Sequence, residues 1–248
     1  MLVLSVNINK CGGICSNGKG EIYDAAIADR MKNMIIDFLE IDENNVVFIN
    51  ELNAVKDNRK SFEELFAEKI YTIHKPSHFE DFCKKQHPYG CTVAITKSKS
   101  VWEQSLSIDI YDQKSGVLSY ANKSVILKNG DIILAGMHIP YDTDYWDEII
   151  KYFRENREKR LYMVGDFNVF EEGTDRCQKF NELKKEGAID VWLNCGGDHG
   201  HITYKNGRVD YLLSSVIGYS SIRKMSYLDS LRLNGLTDHS GVLFEVLK

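Results

Sequence analysis

The chain has 248 residues, enough for one large domain or two small ones with an ample core. Its hydrophobic share of 43% and charged share of 27% form an ordinary globular balance. A formal net charge of −5 argues against a strongly basic protein that coats nucleic acid, though it leaves room for a local groove. Leu2–Val6 then reads as a buried strand. Ile22–Glu40 reads as a helix, because Ile27, Met31, Met34, Ile35 and Phe38 recur at helical spacing. Val46–Ile49 is a second short buried strand and Phe62–Ile70 a short helix. From Gly90 the pattern turns β-rich, with strands over Cys91–Thr96, Val101–Tyr111, Val117–Leu127 and Asp131–His138. Asn129-Gly130, between the last two, is a hairpin signal. Tyr145–Arg157 reads as a helix with Trp146, Ile149, Ile150 and Phe153 on one face. Leu161–Val164 is again a strand and Asp175–Lys185 a helix. His201–Tyr204 and Arg208–Leu213, around Asn206-Gly207, predict a second hairpin, and Val242–Val246 a final strand.

Two hairpins interrupt the alternation of strands and helices, unlike a pure parallel doubly wound sheet. Two β-sheets packed together and flanked by helices fit better. With three prolines, no low-complexity linker and no internal repeat, a single domain over 1–248 is expected. The six cysteines are scattered, and Cys11-x-x-x-Cys15 has no second pair at zinc-finger spacing. Free thiols fit a reducing compartment. The N-terminus opens directly into an apolar strand, and no apolar stretch is long enough to cross a bilayer. A soluble cytoplasmic protein without a membrane span is the expectation, and no protein partner is evident.

The chemistry gathers at strand ends. Leu161–Val164 runs into Gly165-Asp166-Phe167-Asn168. Residues two apart in a strand face the same way, so Asp166 and Asn168 can point into one space. A carboxylate proton acceptor beside a neutral amide suits metal-assisted attack on phosphorus. Asn7 and Asn9 follow the first strand, Glu51 follows Val46–Ile49, and His138 follows Ile132–Ala135. Asp210 lies within Arg208–Leu213, and Asp238-His239 precedes the last strand. Taken singly, Glu51 reads as a cap, His138 as a hydrogen-bonded core histidine and Asp238 as a turn residue. Asp210, between Val209 and Tyr211-Leu212-Leu213, is a half-buried charge that needs a partner, and His239 would serve.

In order, the chain carries Leu4-Ser5-Val6-Asn7-Ile8-Asn9, Phe48-Ile49-Asn50-Glu51, Gly136-Met137-His138-Ile139-Pro140, Val164-Gly165-Asp166-Phe167-Asn168, Arg208-Val209-Asp210-Tyr211-Leu212-Leu213 and Thr237-Asp238-His239-Ser240. With these motifs it resembles the endonuclease/exonuclease/phosphatase superfamily, which includes exonuclease III-type apurinic endonucleases, deoxyribonucleases, neutral sphingomyelinases and inositol polyphosphate phosphatases. Ile189-Asp190-Val191-Trp192 and Ile202-Thr203-Tyr204 resemble the run before that family's Asp strand. The resemblance implies a four-layer α/β/β/α sandwich of two packed mixed β-sheets flanked by helices, and a divalent metal, Mg2+ or Mn2+. It implies Glu51 as the main metal ligand, Asp238 as a second metal-side carboxylate, and Asn7 and Asn9 as supports of metal and phosphate. Asp166 would orient or deprotonate the attacking water, and Asn168 would hold a phosphate oxygen. Asp210 would fix the tautomer and charge of His239, which would contact the scissile phosphate. His138 would hydrogen-bond the phosphate or help the leaving group.

Magnesium takes oxygen ligands and needs only one or two protein carboxylates, in agreement with such a site. Asn50 stands where many members carry Gln. Asn9 stands where some have Asp, which puts a direct ligand role in doubt. His138 stands where the apurinic endonucleases carry Tyr, which points toward the deoxyribonuclease, sphingomyelinase and phosphatase branches. The Gly-rich stretch Lys10–Gly20 after Asn9 reads either as a surface loop or as backbone amides and two lysines that hold an extra phosphate. The implied activity is a metal-dependent phosphodiesterase acting on DNA or RNA, a nuclease. The alternatives are a phosphatase or phosphodiesterase on a small or lipid phosphoester, and a non-catalytic module on the same scaffold.

Overall fold

The computed structural model describes residues 1–13, 22–53, 55–76, 79, 90–112, 117–120, 122–169 and 173–247. Two six-stranded sheets form the centre. The first holds β1 (Leu2–Asn7), β2 (Val46–Leu52), β3 (Tyr71–His74), β4 (Cys91–Lys97), β13 (Ile222–Leu228) and β14 (Gly241–Val246), in the order β13-β14-β1-β2-β4-β3. The second holds β5 (Glu103–Ser105), β8 (Ser124–Asn129), β9 (Ile132–His138), β10 (Arg160–Asp166), β11 (Ile189–Asp190) and β12 (Asp210–Ser214), in the order β11-β12-β10-β9-β8-β5. A separate ribbon pairs β6 (Ile110–Asp112) with β7 (Val117–Ser119).

Each sheet is mixed for the same reason. A parallel pair needs a crossover, and only two are made through long helices. β1 pairs parallel with β2 across α1 (Ala25–Glu40), and β9 with β10 across α3 (Thr143–Asn156). The other pairings are antiparallel. Among the described residues the other α-helices are α2 (Lys56–Glu63), α4 (Asp175–Lys185) and the short α5 (Val191–Asn194), α6 (Val216–Tyr219) and α7 (Asp229–Leu233).

Side-chain alternation builds three apolar layers between four layers of backbone. Leu4, Val6, Val47 and Ile49 pack with Met31, Ile35 and Leu39 of α1. Ile133, Ala135, Met137, Leu161 and Met163 pack with Trp146, Ile149 and Phe153 of α3 and with Phe180 of α4. The alternate residues Val3, Val46, Phe48, Leu134, Tyr162, Val164 and Leu212 fill the space between the sheets. The α/β sandwich expected from the motifs is the fold observed.

Several local expectations are corrected. α1 starts at Ala25, not Ile22, because the Asp24 carboxylate caps the N–H groups of Ala26 and Ile27 at 2.8 and 3.1 Å. The short helix lies over Lys56–Glu63 rather than Phe62–Ile70; Phe62 and Phe66 are both buried, but the chain turns after Glu63. Val101–Tyr111 is not one strand. Glu103–Ser105 joins the second sheet, while Ile108 turns inward and its N–H donates to Ser124 Oγ at 2.9 Å. Val117–Leu127 splits into β7 and β8, with Tyr120 at φ +62 between them. The second hairpin reduces to a bridge between Tyr204 and Gly207, because Asp210–Ser214 pairs with β10 and β11 instead. Most of the Gly-rich stretch, residues 14–20, lies outside the described residues, as do Cys15 and Cys83.

Candidate active site

The strand ends expected to carry chemistry converge at one edge of the sandwich. Asn7 continues the Val3–Ser5 face of β1, His138 the Ile132–Leu134 face of β9, and Asp166 the Tyr162–Val164 face of β10. All of these face the space between the sheets. Asp210, two residues before Leu212, does the same from β12. Backbone register aligns Asp166 with His138 on one side and with Asp210 on the other. The apolar inter-sheet core therefore ends in a polar cluster, with Asn7, His138, Asp166, Asp210 and His239 all buried.

Glu51 reaches the cluster by breaking the alternation. Its parity matches Val47 and Ile49, which face α1. A register shift between Ile49 and Leu52, with Glu51 itself at φ +56, turns the carboxylate toward Asn7 instead. Gly165 is similarly specific. At φ +141, a Cβ there would lie 1.9 Å from the Met137 carbonyl oxygen, so only glycine lets β10 close on β9 just before Asp166.

The Asn7 amide ties the halves together. Its Nδ2 donates to Glu51 Oε1 and to Asp166 Oδ2, each at 3.2 Å, which uses both of its protons. Asp166 Oδ1 accepts the Asn168 backbone N–H at 2.9 Å, and Asn168 Nδ2 donates to the Ile139 carbonyl at 2.9 Å. His239 Nδ1 donates to Asp210 Oδ2 at 2.9 Å, while its Nε2 lies 3.9 Å from Asp166 Oδ2. His138 Nε2 lies 3.7 Å from Glu51 Oε1 and 3.8 Å from Asp166 Oδ2. Its buried Nδ1 has no hydrogen-bond partner among the described residues.

Charge in this buried cluster is set by neighbours. Burial opposes charge on His239, yet Asp210, Asp166 and Asp238 push it up to about 10, so it is an imidazolium. Burial and the lysines Lys123 and Lys10 outweigh Glu51 at His138 and bring it down to about 3, so it is neutral. Burial raises Asp166 to about 7, with Asp210 and Glu51 adding to the rise and His239 opposing it. Burial works against charge on Glu51 too, but the facing His138 and Lys10, with hydrogen bonds from Lys10 and Asn7, bring it down to about 2. Since His138 is neutral, Lys10 supplies the lasting positive charge there.

Two of these residues escaped the reading of the sequence. Lys10 reads in the sequence as part of a surface loop or of a phosphate-holding one, not as a neighbour of Glu51, yet it is buried with its Nζ on Glu51 Oε2. Lys123 is also buried, brought down to about 8 by burial against the pull of Glu51. Its position just before the apolar run Ser124–Leu127 is the one sequence signal that marks it as an inward strand-end cation. Tyr204 stacks on His239, with ring centroids 4.3 Å apart and planes at 15°. Asn9, at φ +42, donates its backbone N–H to Asn7 Oδ1 at 3.0 Å. Asp238 is exposed, and the neighbouring Thr237 Oγ1 donates to the Asn7 carbonyl at 2.6 Å.

Donor atoms of Glu51, His138 and Asp166 lie within 4.8 Å of one another, as do those of Asp166, Asp210 and His239. Each group has donor spacing that could hold a metal ion. The first fits a hard divalent cation better. It offers two carboxylates and a neutral imidazole, whereas the ring of the second group, His239, is protonated and has no lone pair to give.

No protein-family model matches the chain, and no curated protein matches it. Solved structures do. An AP endonuclease from Archaeoglobus fulgidus superposes at TM-score 0.68 and 12% identity, covering 99% of each chain. The 3′ phosphatase NExo from Neisseria, bound to product DNA hairpin, superposes at 0.68 and 13%, covering 100% of each. The AP endonuclease LMAP from Leishmania major superposes at 0.69 and 10%, covering 100% of this chain and 87% of that one. At 10–13% identity these likenesses show that the chain shares the fold of these neighbours.

Proposed function

We propose that the protein is a divalent-metal-dependent hydrolase of phosphate esters, acting as a phosphodiesterase on nucleic acid, with 1–248 as one catalytic domain. The observation that carries this reading is the position of Asp166. It is a buried carboxylate, raised to about 7, set between a neutral histidine and a charged one and aimed by Asn7 and the Asn168 N–H. A buried carboxylate aimed by these two hydrogen bonds can orient or deprotonate an attacking water. The His239 imidazolium, kept charged by Asp210, stabilises negative charge on a phosphoryl oxygen. His138 offers a neutral ring to the phosphate or the leaving oxygen, and the second Asn168 amide proton can hold another oxygen. Mg2+ or Mn2+ would be held by Glu51 with Asp166 beside it, and would neutralise charge on the phosphoryl oxygens.

Nucleic acid is favoured over a smaller phosphoester because an AP endonuclease and a 3′ phosphatase bound to a DNA hairpin share the fold. No helix among the described residues is long and apolar enough to cross a membrane. Among the described residues Cys11, Cys177 and Cys195 are free thiols, which supports a reducing, cytoplasmic setting. The test is hydrolysis by purified protein, with Mg2+ or Mn2+ and with EDTA controls. The substrates are abasic duplex, plain duplex, single-stranded DNA and RNA, phosphoinositides, sphingomyelin and bis-p-nitrophenyl phosphate. Metal-dependent cleavage of a nucleic acid supports the reading. Turnover confined to lipid or small esters moves the substrate class, and no turnover at all sinks the enzyme reading.

A further inference from the structure

Lys10 is the feature the proposed chemistry does not use. It is 4% exposed, and its ammonium donates to Glu51 Oε2 while Asn7 occupies Oε1. Both oxygens of the expected metal ligand are therefore already engaged. The backbone that delivers Lys10 is strained. Asn9, Lys10 and Cys11, none of them glycine, stand consecutively at φ +42, +60 and +55. Such a run persists only where the surroundings over-determine it. Here the Cys11 N–H donates to the Ile8 carbonyl at 2.9 Å and the Asp24 N–H to the Cys11 carbonyl at 2.6 Å. Asn53 Nδ2 adds donation to the carbonyls of Lys10 at 3.3 Å and Ile22 at 3.0 Å. A lysine free to reach water would gain solvation by leaving; this one is bound inward over a carboxylate.

We infer that Lys10 is a resident cation that a divalent ion must displace from Glu51, with a phosphate group of the substrate drawing the ammonium away. This rests on the reading that Glu51 holds the ion. Two cations compete for one carboxylate, so the free protein binds metal weakly. An anionic phosphate at the His239 side gives the displaced ammonium a new partner. Metal and phosphoester then bind with positive coupling, and each strengthens the other by the same factor.

Titration calorimetry with Mn2+, in the absence and presence of dimethyl phosphate, tests this on the wild type, Lys10→Met, Lys10→Arg and Glu51→Gln. Lys10→Met is expected to bind Mn2+ about tenfold or more tightly than wild type. Dimethyl phosphate should tighten Mn2+ binding in the wild type and lose that effect in Lys10→Met, while Lys10→Arg keeps the weak binding. Unchanged or weaker Mn2+ binding by a folded Lys10→Met overturns the inference; if Glu51→Gln still abolishes binding, the metal reading survives it. Mn2+ binding indifferent to Glu51→Gln overturns the metal reading and this inference together. Should Lys10→Met not fold, the wild type decides, because Mn2+ binding unaffected by dimethyl phosphate is the contrary result.

Discussion

Two histidines face the same carboxylate, Asp166, from opposite sides, and one is charged while the other is neutral. Burial pushes both toward the neutral form. On the Asp210 side a carboxylate 2.9 Å from the ring overrides burial and leaves His239 charged. On the Glu51 side two lysines reinforce burial and leave His138 neutral. One pocket thus holds a charged and a neutral histidine ring about 4 Å from Asp166, at 3.9 and 3.8 Å. Residue type does not decide which histidine is which; the nearest fixed charge does.

Removing the charge that separates them gives the largest expected effect. Asp210→Asn leaves His239 without its anion, and kcat on whichever panel substrate is cleaved should fall by roughly 10³-fold with the thermal melt little changed. Near-normal turnover in that variant would mean His239 works without its charge. On the other side, His138→Gln should cost about 10²-fold, the scale for losing one donor to a developing oxyanion. An equal loss in both variants would erase the proposed difference between the two sides. Glu51→Gln should shift the Mg2+ midpoint for activity by at least about tenfold, the scale for disturbing a metal's protein support. An unmoved midpoint would transfer the ion to the Asp210 side.

The smallest effect uses a third histidine as a control. His74 is buried in the first sheet against Thr96 Oγ1 at 2.9 Å, and burial lowers it. Its folded value lies below the unfolded one of about 6.5, so the unfolded chain binds more protons between the two. His74 therefore contributes stability that is present above about pH 6.5 and is lost as pH falls toward its folded value. Melting temperatures in EDTA from pH 7.5 down to 5 should fall less steeply for His74→Gln than for wild type. Equal slopes would show that burial alone does not hold a histidine neutral here, and would weaken the account of His138.

Much of the fold was legible because the central strands carry their instructions locally. Leu2–Val6, Val46–Ile49, Ile132–Ala135 and Leu161–Val164 are apolar on both faces, and each is a buried strand between a helix layer and the other sheet. The edge strands gave no such pattern: β3 and β13 mix polar and apolar positions, and their identity comes from backbone pairing with β4 and β14. Tyr120 and Ile108 show a related failure, since apolar runs that look like single strands are divided by turns whose reason is a partner far along the chain. In the site, Asn7, His138, Asp166 and Asp210 could be read as inward-facing from strand parity. Glu51 could not, because parity points it at α1 and only the bulge redirects it.

The sequence by itself determined which residues end the central strands and that they are acids, amides and histidines. Period-two alternation and apolar runs are local properties of a chain. Only the tertiary structure decided the charge each of them carries, and that Lys10 and Lys123 belong among them. Electrostatic fields in a buried pocket depend on distances of a few ångströms between residues more than a hundred positions apart, such as Asn7 and Asp166. No local pattern encodes those distances.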